Sequence, residues 1–248
     1  MSSQTTLRSE SDQIPVAKRP ATTPPPRPAT WLLKVIQAVT GAMFALFVLM
    51  HLLGNLKAYG GGDKLDHYAE WMRTIFNPLV AGAGILVILR ITLVAAVALH
   101  IYSGLTIWVR GRRARGAHGR KPVYSYQAVT GRTMIWTGLI VLCFVIFHLL
   151  DLTLGKAPVA TDNFSDGHPY SNLVNSFERP AVAIFYIVVM LLLALHLSHG
   201  IWSMINDFGG SAHRTRLVAK VVAFAVALAV VLGNMSLPIA VQAGWLTL

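Results

Sequence analysis

The sequence predicts an all-α membrane protein of five transmembrane helices, the first four arranged as two parallel two-helix repeats. Three observations carry this. The 248-residue chain is 54% hydrophobic and only 12% charged, whereas a soluble domain carries about a quarter charged residues. Five apolar runs lie at about 31–53, 78–109, 133–154, 180–205 and 217–240, each long enough for the roughly 20 residues that cross a bilayer. A histidine frame, Ala-Leu-His-x-x-x-Gly, occurs twice, at Ala98–Gly104 and Ala194–Gly200. Five such runs as buried helices of a soluble protein would leave too little polar surface to cover them.

Residues 1–29 read as a disordered, basic cytoplasmic tail, rich in proline and bearing Arg8, Lys18, Arg19 and Arg27. No early apolar core with a small-residue cleavage site marks a signal peptide. Residues 30–248 form the membrane domain. The second run exceeds one span and is expected to tilt or protrude. The fifth carries no strong ligand and is expected to pack.

The loops set the orientation. Arg110, Arg112, Arg113, Arg115, Arg120, Lys121 and Arg132 lie between runs two and three, and Arg214, Arg216 and Lys220 between runs four and five. The opposite loops mix Lys57, Lys64, Arg73, Lys156 and Arg179 with Asp63, Asp66, Glu70, Asp151, Asp162, Asp166 and Glu178. The excess of positive charge places the N-terminus in the cytoplasm and the C-terminus outside, in a multi-pass protein of the cell membrane. The net charge of +11 is therefore topological. No nucleic-acid motif accompanies it, and no nucleic-acid partner is expected. The single cysteine, Cys143, excludes an intrachain disulfide, a covalent haem site and an iron–sulfur cluster held by this chain alone. It is expected to be a small core residue.

Nine histidines are present. His67, His118, His168 and His213 fall in loops and read as surface residues. His51, His100, His148, His196 and His199 fall in apolar runs, where an ionisable side chain is a functional candidate by default. The first four lie one per run. Thr40-Gly41 precedes His51 at the offset by which Thr137-Gly138 precedes His148, and Phe47–Leu53 matches Phe144–Leu150. Runs one and two thus form a unit repeated as runs three and four, related by a pseudo-twofold axis along the membrane normal.

Topology then gives depth. His51 and His148 lie in the outer leaflet, His100 and His196 in the inner. Two imidazoles per iron at two depths is the ligand set for two stacked b-type haems. Gly41, Gly104, Gly138 and Gly200 would let a flat macrocycle approach the backbone. Histidines that only bond neighbouring helices, or that relay protons in a secondary transporter, are the alternatives. A zinc site needs ligands converging at one depth. His199, three residues from His196, is an ambiguous fifth imidazole; the match to His100 favours His196 as ligand and leaves His199 near a propionate or a quinone edge.

Taken together, Thr40-Gly41, His51-Leu52-Leu53-Gly54-Asn55-Leu56, Arg90 with His100, Phe147-His148-Leu149-Leu150-Asp151 and His196–Trp202 resemble the five-helix, di-haem cytochrome b membrane anchor of succinate:menaquinone oxidoreductases and fumarate reductases. The resemblance covers nearly everything after the tail. It implies two haem b, His51 and His148 holding the haem distal from the catalytic subunits and His100 and His196 the proximal one. It implies partner subunits carrying FAD and iron–sulfur clusters, menaquinone as electron acceptor, and a higher oligomer of the complex as a possibility. The same design serves fumarate reduction in reverse. Gln37 resembles a family residue near the inner haem propionates. Arg90 lies about 15 Å toward the outer side of His100 at helical rise, close to the outer haem, with snorkelling as the alternative. Arg132 and Trp136 begin helix three at the inner-haem depth, where a plain interfacial anchor is the alternative. Glu70 and Asp151 are acids near the outer surface that could exchange protons with a quinone, or be merely solvated.

Overall fold

At membrane depth the backbone polar groups must be satisfied within their own segment, so the apolar runs have to be helical. The computed structural model describes residues 28–75, 84–118, 124–210 and 212–248. The tail over 1–27, the start of the second run at 78–83 and the loop charges Arg120 and Lys121 lie outside the described residues. The elements are α1 (Thr30–Asn55) with a 3₁₀ turn (Leu56–Gly60), α2 (Gly62–Thr74), α3 (Gly84–Arg115) and α4 (Tyr126–His148), which ends in a π turn (Leu149–Thr153). After these come α5 (Pro169–Phe177), α6 (Pro180–Asp207) and α7 (His213–Gln242). Among the described residues five helices, α1, α3, α4, α6 and α7, are long and apolar enough to cross a membrane. The protein is an all-helical membrane bundle.

Local chemistry sets the ends. The Ser125 side chain caps α4 by accepting from the Ala128 N–H. Pro169 and Pro180 open α5 and α6, where a missing N–H costs nothing. Gly61, with φ of 89°, turns the chain from the 3₁₀ segment into α2, a conformation that disfavours any residue with a Cβ.

Several charges expected in loops are helical. Arg110, Arg112, Arg113 and Arg115 form the last turns of α3, and Arg214, Arg216 and Lys220 the first turns of α7. Arginine and lysine are good helix formers whose long stems let a helix run past the apolar boundary. Likewise α4 starts at Tyr126, so Arg132 and Trp136 lie inside it rather than at its beginning. Hydropathy locates the apolar stretch, whereas the helix begins at its cap. His67 sits in α2, His168 caps α5 and His213 opens α7. Cys143 is exposed on the bundle exterior, so it is not the core residue expected; in a membrane span an apolar surface is as acceptable as an apolar core.

Helix α1 packs against α3 and α6, α4 against α6, and α7 against α6 and α1. Among the described residues α3 and α4 form no comparable seam, so the two repeats do not close symmetrically. On α7, Ala219, Ala223 and Ala227 recur every four residues, all buried, giving the small-residue stripe that brings membrane helices close. The expectation that this helix packs is met.

Polar contacts pin both ends. At the basic end Lys34 Nζ reaches Asp207 Oδ1 at 3.0 Å and Arg110 donates to Thr30 Oγ1 at 2.9 Å. At the far end Asn55 donates to Asn234 at 3.1 Å, and the Tyr170 N–H donates to Asp66 at 2.9 Å, holding α5 on α2.

Candidate functional site

The four repeated histidines meet in two pairs. The rings of His51 and His148 have centroids 5.8 Å apart, and those of His100 and His196 6.4 Å apart. Metal–imidazole bonds of about 2 Å, added to the span from ring nitrogen to ring centre, leave about 6 Å between two rings trans across one metal. Both separations match that spacing. Among the described residues no three His, Cys, Asp or Glu gather as a metal ligand set. His51 is exposed and the other three are half-buried.

The pairs are displaced along the bundle. Gly41 packs against His100, where a Cβ would lie 3.6 Å from Cε1, and Gly138 against His196, at 3.2 Å. From Gly41 to His51, and from Gly138 to His148, the chain climbs ten residues, about 15 Å of helix. The two units repeat this geometry.

Hydrogen bonds assign the tautomers. Thr40 Oγ1 gives its proton to the Ile36 carbonyl at 2.7 Å and lies 2.9 Å from His100 Nδ1. Its oxygen must therefore accept from Nδ1–H, leaving a lone pair on Nε2. Gln37 donates to that Nε2 at 3.0 Å while its Oε1 accepts from Ser103 at 2.5 Å. Thr137 repeats the device, donating to Thr133 at 3.1 Å and accepting from His196 Nδ1 at 3.2 Å. Thr130 treats His199 likewise, at 2.9 Å. Such partners orient metal-binding histidines.

His148 has a different partner. Tyr186 Oη lies 3.4 Å from His148 Nδ1 and donates to Asp151 Oδ2 at 3.0 Å. Asp151 also accepts from Ser176 at 2.5 Å and pairs with Arg179 at 2.6 Å; its side chain is 0% exposed and that of Arg179 32%. Asp151 is thus a buried ion pair, not the surface acid expected. The π turn carries it inward, and burial is tolerated because its oxygens are occupied.

Of the remaining expected residues, Gln37 joins the His100 pair, and a Cβ on Gly104 would lie 3.3 Å from Gln37 Oε1. A Cβ on Gly200 would meet nothing within 4 Å, so no close approach requires that glycine. Arg90 and Glu70 are exposed and Arg132 is half-buried. Trp136 is 64% exposed. His199 lies beside Trp202, 5.6 Å between rings. With Tyr126, Ser198 and Lys220 they line a cavity of about 140 Å³, in which Tyr126 Oη and Ser198 Oγ bond at 2.6 Å. The Trp202 Nε1–H is buried with no partner among the described residues.

Residues 110–233, half of the chain, match the family model of the succinate dehydrogenase/fumarate reductase transmembrane subunit. The chain belongs to that family. A curated relative, the succinate dehydrogenase cytochrome b558 subunit of Bacillus subtilis (strain 168), is 25% identical over 164 residues, covering 66% of this chain and 72% of its own. No solved structure matches the chain. As a membrane subunit of the succinate dehydrogenase/fumarate reductase family, the protein is part of an enzyme complex, and the secondary-transporter alternative is set aside.

The matched region of this succinate dehydrogenase/fumarate reductase subunit holds His148 and His196 but neither His51 nor His100; the fold supplies their partners. Sequence reasoning missed Tyr186, Ser176, Arg179 and Thr130. Thr130-Gly131 repeats the Thr-Gly pair seven residues before Thr137-Gly138 and was a readable signal. Arg179 was readable only as a loop charge.

Proposed function

We propose that the chain is the di-haem cytochrome b anchor of succinate dehydrogenase, passing electrons from an iron–sulfur subunit to menaquinone. The observation that carries it is the pairing of four membrane histidines, two by two, about 6 Å apart and about 15 Å apart in depth. His100 and His196 hold the inner, proximal haem b, and His51 and His148 the outer, distal one. The haems supply two one-electron carriers, one near each face. Moving an electron between faces works with or against about 2.3 kcal/mol per 100 mV of membrane potential.

The chain's own residues prepare these sites. Thr40 and Thr137 would fix Nδ1–H and leave Nε2 for iron, which on His100 would take the place of the Gln37 amide. Gly41 and Gly138 let each imidazole lie close to the facing helix, with Gly104 and Gly200 one turn from their histidines. Gln37, Arg132 and His199 furnish the polar edge of the inner haem, and Arg90 a cation near the outer one. Glu70, exposed on α2, is the acid open to a quinone on the outer side. The basic end, cytoplasmic in this reading, docks the iron–sulfur subunit, with the flavoprotein beyond it. The likeness to a succinate dehydrogenase subunit of Bacillus subtilis favours succinate as electron donor.

The test is the visible spectrum of the purified complex. Two b-type bands reducible by succinate are expected. A well-folded, colourless preparation would contradict the proposal.

A further inference from the structure

The two histidine pairs differ in what holds them. His100 and His196 give their Nδ1–H to threonine hydroxyls whose protons go to neutral backbone carbonyls. His148 faces a phenol whose proton goes to a buried carboxylate. We infer that Tyr186, polarised by Asp151, is a positioning residue for His148 that lowers the reduction potential of the haem this imidazole ligates. The inference rests on the haem assignment above.

The hydrogen-bond directions leave little freedom. Asp151 has no solvent contact, and its oxygens take Ser176, Arg179 and Tyr186. An ionised carboxylate only accepts, so the Tyr186 proton points at Asp151. The phenol oxygen is then left as acceptor toward Nδ1–H of His148. Bonds in such a chain polarise one another in a low-dielectric site. The pull on Nδ1–H makes the imidazole a stronger electron donor through Nε2, which favours the ferric over the ferrous state. The phenol is held where it is by packing: its ring lies 4.8 Å from Phe177 and 5.1 Å from Phe144, edge to face in both cases. Only 5% of Tyr186 is exposed, so water does not compete for the oxygen.

Two substitutions give opposite signs. Tyr186→Phe keeps the ring and removes the acceptor; the potential of the far-end haem should rise while the other haem is unchanged. Ser176→Ala leaves the carboxylate with one donor fewer, so it pulls harder on the phenol proton; the same haem's potential should fall. A merely structural role would move both variants in one direction, through loosened packing. The measurement is an optical redox titration of the intact complex, with the low-temperature electron paramagnetic resonance signal of each ferric haem reporting ligand orientation. An unchanged far-end potential in Tyr186→Phe, or an equal shift in both haems, overturns the inference. Should Tyr186→Phe not assemble, Ser176→Ala decides alone: a fall supports the inference, and no shift or a rise overturns it. A wild-type complex lacking a His148-dependent haem signal would instead overturn the haem assignment.

Discussion

Thr137 accepts the Nδ1–H of His196 at 3.2 Å and passes its own proton to the Thr133 carbonyl, and Thr40 does the same for His100 on the other repeat. Each imidazole is held in the tautomer with its lone pair on Nε2, which on His100 accepts from the Gln37 amide at 3.0 Å. Partners of this kind are worth about 10–100-fold in metal affinity. Thr137→Val, which keeps the shape and removes the hydroxyl, should therefore weaken retention of the basic-end haem by about that factor. Haem-to-protein stoichiometry after washing with a haem-scavenging apoprotein measures it, with the far-end haem as internal control.

Glycine substitutions separate close approach from coincidence. A Cβ at Gly138 would press His196 Cε1 at 3.2 Å, whereas at Gly200 it would meet nothing. Gly138→Val should displace the imidazole and abolish the basic-end haem signal. Gly200→Ala should leave both signals intact. Reduced-minus-oxidised difference spectra distinguish the two.

His199 is three residues from His196, yet it turns to Thr130 and Trp202 while His196 faces His100. His199→Ala should retain both haems in a pyridine haemochrome assay, and His196→Ala should lose one. The reverse result would exchange their roles.

Asp151 and Arg179 form an ion pair whose acid is fully buried. Removing Arg179 would leave that carboxylate buried and uncompensated, at a cost of about 3–5 kcal/mol. Arg179→Ala should lower the thermal unfolding midpoint of the detergent-solubilised complex. Glu70→Gln, at an exposed site, should leave that midpoint unchanged.

The spans and the histidine pairing were legible because bilayer thickness and helical rise act on every residue of an apolar run. Depth followed from counting along α1 and α4, and the pairs His51–His148 and His100–His196 follow from depth. The hydroxyl partners were half legible: Thr40-Gly41 and Thr137-Gly138 repeat visibly, but the repeat does not show that the threonines make the bonds. The Tyr186–Asp151–Arg179 chain was not legible. It joins the π turn to the junction of α5 and α6, and a single π turn leaves no hydropathy period. Helix ends were misplaced at Arg110–Arg115, Arg132 and Arg214–Lys220, where arginine and lysine continue a helix beyond its apolar stretch.

The central claim is that two irons are held by two histidine pairs, one from each repeat unit in each pair. A redox titration of the purified complex with His51, His100, His148 and His196 replaced one at a time tests it most directly. Replacing His51 or His148 should remove one haem signal and leave the other, while replacing His100 or His196 should remove that other. Loss of the same signal on replacing His51 and His100, or retention of both signals throughout, would contradict the account.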